Sequence, residues 1–336
     1  MSRVTIKDVA EAANVSITTV SLVLNNKVDS ISQETIDAVN RACKNLHYQK
    51  NFFASSLKSK VTKTIGLILP EIDSAYYSRI ASCVNKILEE KNYTLLTASS
   101  DNSFERELHL FAQMEARQVD YLIILPSSSS LTKQNFEKLE KALNELSLKY
   151  AIIDRRTKFN NHIEVVNDDI YGASLAVEYL IKNNHKRIAC ITGPENVSSS
   201  DNRLQGYLDT LKKHNIPFDE SLIYIGDYSF DTAKQLAEQI IHRKDVDAIF
   251  AFNDLSAYAV YDIYAEQGLR IGKDISVVGF DDNPFSSLIS PSLTTIRQDI
   301  KKICETAVNE LFKEDNDNKV ITISPTLIER KSVRVK

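Results

Sequence analysis

Polar and aromatic side chains recur where the short apolar runs of this sequence end. They are Asp73, Ser74, Tyr76, Tyr77, Asp154, Arg155, Asn253, Asp281 and Asp282. Carboxylates accept hydrogen bonds and guanidinium and amide groups donate them, so such a set suits a polar small molecule. One Asp or Asn at such a point would indicate only a turn or a cap, because these residues favour both. Their recurrence at several run ends predicts a ligand crevice.

A second candidate lies at the start of the chain, in "VTIKDVAEAANVSITTVSLVLNN" at residues 4–26. Two helix-length runs joined by a three-residue turn fit a helix-turn-helix unit, whose second helix enters the DNA major groove. The positions able to reach base edges are Ile17, Thr18 and Leu22, and those suited to phosphates are Thr19, Ser21 and Asn25. The alternative is a small helical bundle that binds protein, or nothing.

Capping residues and apolar spacing predict three short helices that would position this first site. Thr5 with Asp8 is typical of a capping box, and Ser16 and Ser32 can cap the second and third helices. The side chains expected to form the small core are Val9, Ala10, Ala13, Val20, Val23, Leu24, Ile36, Val39, Ala42 and Cys43.

From about Thr64 onward, short apolar runs alternate with amphipathic helix-length segments. Eight such runs are evident, among them "TIGLILP", "YAIIDRR", "AIFAFND" and "ISVVGFDD". This alternation predicts parallel sheets covered by helices, and the number of runs favours two similar α/β lobes. The ligand crevice of such a fold lies outside the carboxyl ends of its strands.

Composition and charge limit the class of protein. The chain has 336 residues, 43% of them hydrophobic and 26% charged, which is typical of a globular protein. No apolar run can cross a bilayer, and the N-terminus lacks the apolar segment of a signal peptide. Residues 1–60 carry eight Lys and Arg against five Asp and Glu, and the remainder carries 33 against 40. We expect a cytoplasmic protein without membrane contact and with a polyanionic partner at one end.

Metal, cofactor and enzyme chemistry are not expected. Cys43, Cys83, Cys190 and Cys304 form no C-x-x-C pair, so reduced thiols are expected and zinc is not. The six histidines show no metal-ligand spacing. The motifs of serine hydrolases, zinc proteases and nucleotide-binding enzymes do not occur, so we expect no catalytic residues.

The N-terminal motifs resemble the signature of the lactose-repressor family of bacterial transcription regulators. The likeness includes T-I-K-D-V-A, A-x-V-S-x-T-T-V-S and V-L-N, and it continues through "ASSLKSKVTKTIGLILP" to "TLIERKSVRVK". The resemblance adds Thr5 and Ser16 to the DNA-contacting residues. It also implies a hinge helix in which Leu57 wedges into the minor groove, flanked by Ala54 and Lys58.

Three residues depart from the pattern of that family. Leu22 stands where Arg or His is common, and leucine can only make apolar contact, as with a thymine methyl. Ser55 replaces an arginine before the hinge leucine, and Lys50 replaces a proline. The operator sequence therefore cannot be copied from relatives.

The resemblance implies a fold and its domains. A small all-α helix-turn-helix headpiece would occupy residues 1–50, and a hinge residues 51–62. Residues 63–336 would form a two-lobed α/β body with two parallel sheets, like the type I periplasmic sugar-binding proteins. One lobe would combine residues 63–165 with 294–322, and the other residues 166–293 with 323–336. The body would also carry the dimer contacts.

The same resemblance implies an effector pocket between the lobes. Its residues would be Ser74, Tyr76, Tyr77, Asp154, Arg155, Arg203, Phe230, Asn253, Asp281 and Gln298. The combination of carboxylates, arginines and aromatic rings suits a sugar and is most like the ribose-binding pattern, although asparagine is usual where Ser74 stands. Sucrose and fructose repressors also carry the Asp-Arg pair. Other interpretations are a structural ion pair for Asp154 and Arg155, a turn cap for Asp281 or Asp282, core packing for Tyr76 or Tyr77, and Tyr228 in place of Phe230.

These expectations combine into a dimeric repressor of a sugar-utilisation operon. Its partners would be double-stranded operator DNA, a sugar effector and a second copy of the chain. One alternative is a repressor that needs a purine corepressor, which shares the fold but responds with the opposite sign. A sugar receptor that binds no DNA is the alternative from another class, and residues 1–60 argue against it.

Overall fold

The computed structural model describes residues 4–48, 61–157, 159, 162–314 and 319–334. The chain divides into two compact units, Met1–Thr62 and Lys63–Lys336. No helix among the described residues is long and apolar enough to cross a membrane.

The first unit is a three-helix domain with a small core. Its helices are α1 (Ile6–Ala12), α2 (Ile17–Leu24) and α3 (Gln33–Asn45). Fully or nearly fully buried side chains from all three helices form the core, namely Val9, Ala10, Val20, Val23, Val39 and Ala42. The predicted inward residues Ala13, Leu24, Ile36 and Cys43 pack around this core and are partly buried. The apolar spacing therefore predicted the helix faces correctly.

Side-chain caps set the starts of these helices. The Ser16 hydroxyl accepts a hydrogen bond from the Thr19 N–H at 3.0 Å, and Ser32 caps α3 in the same way. At α1 the Asp8 carboxylate accepts from the N–H and the hydroxyl of Thr5, at 2.7 and 2.8 Å. These two bonds lower the pKa of Asp8. Each bond satisfies a group that the first turn of the helix or its cap leaves without a helical partner.

The turn between α1 and α2 depends on one asparagine. Asn14 has a φ of 52°, in the left-handed region that asparagine tolerates better than most residues. The chain reverses there, and the Val15 N–H donates to the Ala10 carbonyl at 3.0 Å. This bond closes the C-terminal end of α1 and directs the chain into α2.

The second unit contains two sheets. The first has the strand order β11-β5-β4-β3-β1-β2 and the second β12-β10-β9-β8-β6-β7. The strands are β1 (Thr64–Leu69), β2 (Thr94–Ser99), β3 (Tyr121–Ile124), β4 (Lys149–Ile153), β5 (Ile163–Asn167), β6 (Ile188–Ile191), β7 (Ile223–Tyr224), β8 (Ala248–Ala251), β9 (Ser276–Phe280), β10 (Thr294–Arg297), β11 (Lys319–Ile323) and β12 (Thr326–Ile328). All neighbouring strands run parallel except β10 and β12.

Helices cover the sheets. They are α4 (Ala75–Glu90), α5 (Phe104–Ala116), α6 (Phe136–Glu145), α7 (Asp169–Lys182), α8 (Ser198–Lys213), α9 (Phe230–Ile241), α10 (Asp254–Glu266) and α11 (Ile300–Leu311). Each lobe contains two core clusters. One cluster of the first lobe includes Ile65 and Ile303, and one cluster of the second lobe includes Phe250 and Val278. Burial on both faces explains why the central strands are continuous apolar runs. The two-sheet α/β architecture matches the predicted fold class.

One predicted boundary between the lobes is wrong. Residues 294–322 were assigned to the first lobe, but β10 pairs with β9 and β12 of the second sheet. The chain crosses to the first lobe after β10, where α11 packs in the core of the first sheet, and β11 then joins that sheet. β10 is a short segment with a single aliphatic residue, Ile296, so the sequence carries no sign of the sheet that it joins. The other lobe boundaries remain predictions.

Candidate functional site

The α2 helix exposes side chains that were predicted to contact bases. Ile17 is 44% exposed and Thr18 is exposed, whereas Val20 and Val23 are buried against the other helices. Leu22 lies one turn after Thr18 and is half-buried. The α2 helix is thus anchored by its valines and presents a small, uncharged face to a partner.

The predicted phosphate-contacting residues also support the helices of this unit. The hydroxyls of Ser16 and Thr19 lie 2.9 Å apart, and the amide of Asn25 donates to the Ser21 carbonyl at 2.6 Å. Thr5 is held by Asp8 as described above. The hinge residues Ala54, Leu57 and Lys58 lie outside the described residues. The same is true of Lys50 and Ser55, which depart from the family pattern.

In the second unit, a chain of four polar side chains joins the two sheets. The Tyr76 hydroxyl lies 2.6 Å from Asp154 Oδ1 and 2.9 Å from Gln298 Oε1, and Gln298 Nε2 donates to Asp281 Oδ1 at 2.7 Å. Tyr76 opens α4, Asp154 follows β4, Asp281 follows β9, and Gln298 follows β10. Four residues up to 222 positions apart therefore meet at the carboxyl ends of the strands.

Burial raises the pKa of two of these four side chains, Asp281 and Tyr76. It raises the pKa of Asp281 well above its usual value, and the nearby carboxylates Asp254 and Asp154 act in the same direction against the opposing Arg203. Burial likewise raises the pKa of Tyr76, reinforced by Asp154 and Asp281. Tyr76 therefore stays a neutral phenol that can donate one hydrogen bond.

Arg155 is almost fully buried beside Asp154 and keeps one donor unused. Its Nη1 donates to the Pro126 carbonyl at 2.6 Å and its Nη2 to the Tyr77 hydroxyl at 2.8 Å. Its Nε lies 3.7 Å from Asp154 Oδ2, too far for a hydrogen bond, and has no partner among the described residues. A buried N–H without a partner costs free energy, which a ligand that accepts from it could recover.

Arg203, within α8, is a second buried arginine and belongs to the second lobe. It is buried, its Nε donates to Asp169 Oδ1 at 2.8 Å, and its Nη1 donates to the Phe252 carbonyl. Its guanidinium carbon lies 3.7 Å from the centre of the Phe280 ring. Burial raises the pKa of Asp169 to about 6, although Arg203 opposes that shift.

The aromatic residue beside Arg203 is Tyr228, whereas Phe230 is placed differently. The Tyr228 ring centre lies 5.8 Å from the Arg203 guanidinium, and its hydroxyl lies 3.2 Å from Ser199 Oγ. A Cβ at Gly193 would overlap the Tyr228 ring, so glycine there makes room for it. Phe230 packs against the apolar core of the second lobe. The structure therefore favours the alternative that Tyr228 is the cleft aromatic.

Two further predicted residues serve as helix caps. Asn253 accepts from the Ser256 N–H at 2.9 Å at the start of α10, and its amide donates to the Tyr228 carbonyl at 2.9 Å. Ser74 precedes α4, is half-buried, and makes no side-chain capping bond. Asn253 thus fixes the position of Tyr228, while the Ser74 hydroxyl is not used by the helix.

Asn167, the last residue of β5, is a site residue that the sequence pattern does not predict. Asn167 is buried, its amide donates to Asp169 Oδ1 at 3.3 Å, and its Oδ1 has no partner among the described residues. The run "IEVVNDD" has the same strand-end pattern as "YAIIDRR". That strand was not predicted, because Glu164 interrupts its apolar run and polar residues precede it.

A groove of about 340 Å³ is lined by residues of both lobes. Its lining residues are Leu131, Lys133, Phe136, Glu137, Asn196 and Asp201. None of the predicted effector residues lines it. The Arg156 N–H donates to Ser198 Oγ at 2.8 Å nearby and joins the two lobes. Within the part of the chain that the structure describes, no group of three His, Cys, Asp or Glu residues is arranged to hold a metal ion.

The buried carboxyl of Asp254 gives a pH prediction. It accepts from the Asn283 N–H at 2.7 Å and from the Ser286 hydroxyl at 2.6 Å, and burial raises its pKa to about 6. The unfolded chain has the lower pKa of ~3.9, so the folded state binds the proton more tightly. Stability from this group is therefore present below about pH 4 and is lost as the pH rises to 6.

We expect the difference in Tm between the wild type and Asp254→Asn to shrink as the pH rises from 4 to 7. The wild type should lose about 2–3 kcal/mol of stability relative to the variant, since its pKa is shifted by about two units and each unit is worth ~1.4 kcal/mol. Differential scanning fluorimetry of both proteins at matched ionic strength measures it. A Tm difference that is independent of pH would refute the assignment.

The fold and the site together define a class of protein: a helix-turn-helix domain joined to a two-lobed ligand-binding body. Residues 5–51 match the family model for bacterial regulatory proteins of the lacI family, and residues 177–333 match that for the periplasmic binding protein-like domain.

Curated relatives and solved structures agree with this class. The chain is 30% identical to the HTH-type transcriptional repressor PurR of Vibrio atlanticus over 335 residues, covering 98% of each chain. It is 32% identical to the HTH-type transcriptional regulator DegA of Bacillus subtilis over 301 residues, covering 90% of this chain and 88% of that protein. The solved lac repressor dimer bound to operator and the anti-inducer ONPF has a TM-score of 0.86 at 27% identity, covering 99% of this chain and 100% of that one.

The chain belongs to the lacI family. It is a DNA-binding transcriptional repressor with an effector-binding domain.

Proposed function

We propose that the chain represses a sugar-utilisation operon as a cytoplasmic homodimer, and that a small sugar bound between its lobes controls its affinity for operator DNA. The predicted DNA contacts come from α2 and from the hinge around Leu57. Two headpieces would contact the two half-sites of a near-palindrome, as expected for a symmetric dimer.

The observation that carries the proposal is the set of buried carboxyl and guanidinium groups that meet between the lobes. Asp154 and Asp281 accept hydrogen bonds, while Arg155 and Arg203 are buried donors fixed by protein partners. The adjacent hydroxyls of a sugar both donate and accept, so they can pair with carboxylate and arginine at once. The unpartnered Arg155 Nε and Asn167 Oδ1 supply one buried donor and one buried acceptor for such a ligand.

Aromatic side chains complete a site suited to a sugar ring. Tyr76 and Tyr77 lie edge to face with ring centres 5.4 Å apart, and Tyr228 lies on the opposite lobe. Their faces can pack on the C–H side of a pyranose or furanose. The solved CelR-cellobiose complex, which is 28% identical with a TM-score of 0.72, is a related regulator that binds a sugar. We propose ribose or a related sugar as the effector here.

The control follows from closure of the lobes. A sugar that contacts both lobes stabilises one angle between them, and it can shift the equilibrium only by its differential affinity for the two states. Moving the operator from nearly full occupancy to below ~10% needs roughly 2–3 kcal/mol of coupling, within the usual range.

A purine corepressor is the second candidate, because several relatives at 30–33% identity are named PurR. A purine would strengthen operator binding, whereas the sugar would weaken it. Two carboxylates and two arginines in one cleft favour a polyol over a flat base. We infer no reaction at this site, and incubation with candidate sugars followed by chromatography should recover each sugar unchanged.

A thermal-shift screen against pentoses, hexoses, disaccharides and purines distinguishes these candidates. At a concentration 100 times its Kd, the effector adds about 2.7 kcal/mol of stability and should raise the Tm by roughly 5 °C. We expect at least one sugar to do so and the purines to have no effect. Stabilisation by purines alone would establish the corepressor instead, and no stabilisation by any sugar would contradict the proposal.

A further inference from the structure

Arg79 makes a contact between the lobes that the effector pocket does not explain. It lies on α4, one turn after Tyr76, and belongs to the first lobe. Its Nη1 donates to the Asp282 carbonyl at 2.9 Å and lies 3.3 Å from the Asp281 carbonyl, both in the second lobe. A guanidinium of the first lobe thus binds the backbone that carries a pocket carboxylate.

The backbone that Arg79 binds is strained. Asp281 has a φ of 117° and Asp282 a φ of 50°, both in the region that favours glycine. Such conformations persist only where the surroundings fix them, and they cluster where structure switches or a ligand is held. If this turn loses its contacts, we expect its backbone to relax to a less strained conformation.

The second lobe anchors the same turn from its own side. The Asp282 carboxylate pairs with Arg297 and Arg330, each at 2.6 Å, and the Asn283 N–H donates to Asp254. The Asp281 N–H donates to the Ile296 carbonyl at 2.7 Å. These contacts stay within the second lobe, so they hold when the lobes separate, whereas the Arg79 bonds must break.

We propose that Arg79 is a positioning residue that couples the two lobes: it fixes the strained Asp281–Asp282 turn to α4 and so favours the closed cleft. This inference rests on the proposed function only for its consequence in regulation. Because α4 also carries Tyr76, the Arg79 bonds keep this pocket residue close to the Asp281–Asp282 turn. Ligand affinity then depends on a residue that need not touch the ligand.

Hydrogen exchange of the full chain without any ligand tests the contact. Arg79→Met keeps the length of the side chain and removes its donors, Arg79→Lys keeps a charged donor, and Arg117→Met is the matched control. Arg117 ends α5, is exposed, and its side chain has no partner in the described part of the chain. In Arg79→Met we expect exchange about tenfold or more faster at residues 74–80 and 281–288, with α7 unchanged. Arg79→Lys should restore most of the protection.

The outcomes separate a coupling role from a merely structural one. Unchanged exchange at both segments in Arg79→Met would overturn the proposal, and so would faster exchange throughout the body, α7 included. These results do not depend on the identity of the effector. If no sugar stabilises the wild type, the proposed function fails while the exchange data still decide the role of Arg79. With a sugar from the screen, Arg79→Met should need about tenfold more of it for the same thermal shift.

Discussion

Asp281→Ala should abolish the response to the effector while leaving operator binding intact. The change removes a buried carboxyl group that accepts from Gln298 and lies near Arg203, and it deprives a bound sugar of a hydrogen-bond partner. A buried polar group left without its partner costs ~1–3 kcal/mol, and the lost hydrogen bond to the sugar adds to this. We expect effector affinity to fall at least ~100-fold. Isothermal titration calorimetry and operator gel shifts measure the two properties separately.

Asp231→Ala is the matched control, since Asp231 is exposed in the first turn of α9, outside the polar cluster. It should behave as the wild type in both assays. A normal effector response in Asp281→Ala would show that the pocket assignment is wrong. Loss of operator binding in the same variant would show instead that Asp281 supports the fold.

Leu57→Ala should produce the reverse phenotype, with operator affinity lost and effector binding retained. By its resemblance to the family hinge motif, Leu57 inserts between base steps of the minor groove, which kinks the duplex. Burial of a leucine contributes about 1.5–3 kcal/mol, and a dimer inserts two, so operator affinity should fall at least ~100-fold. Fluorescence anisotropy with an operator selected from a random DNA library measures this change.

Ser59→Ala, two residues further along, serves as the comparison because it changes a small polar side chain of the same segment. It should reduce operator affinity by much less than Leu57→Ala. Equal affinities of Leu57→Ala and the wild type would contradict an inserted leucine. The thermal shift with the effector should be the same in all three proteins.

The sequence predicted the elements well because local rules determine them. Ser16 and Ser32 cap their helices as expected, and buried parallel strands show as continuous apolar runs. The partner of each strand depends on long-range pairing that leaves no local pattern. For that reason the sequence predicts the wrong lobe for β10, whereas β5 is missed because Glu164 interrupts its apolar run.

The candidate site could be predicted in part for the same reason. Their position after apolar runs predicted Asp154, Arg155, Asn253 and Asp281 as site residues. The structure joins Asp154 and Asp281 through Tyr76 and Gln298. The choice between Tyr228 and Phe230 depends on two residues of register at the start of α9, which the sequence left open. The contact of Arg79 with a turn more than 200 residues away could come only from the structure.

The most direct test of cleft-controlled DNA binding is the operator Kd of the wild type, measured with and without a saturating sugar that thermal shift has shown to bind. We predict that the sugar raises this Kd at least ~30-fold, which corresponds to about 2 kcal/mol of coupling between the two sites. An operator Kd that stays the same while the sugar is bound would contradict the account.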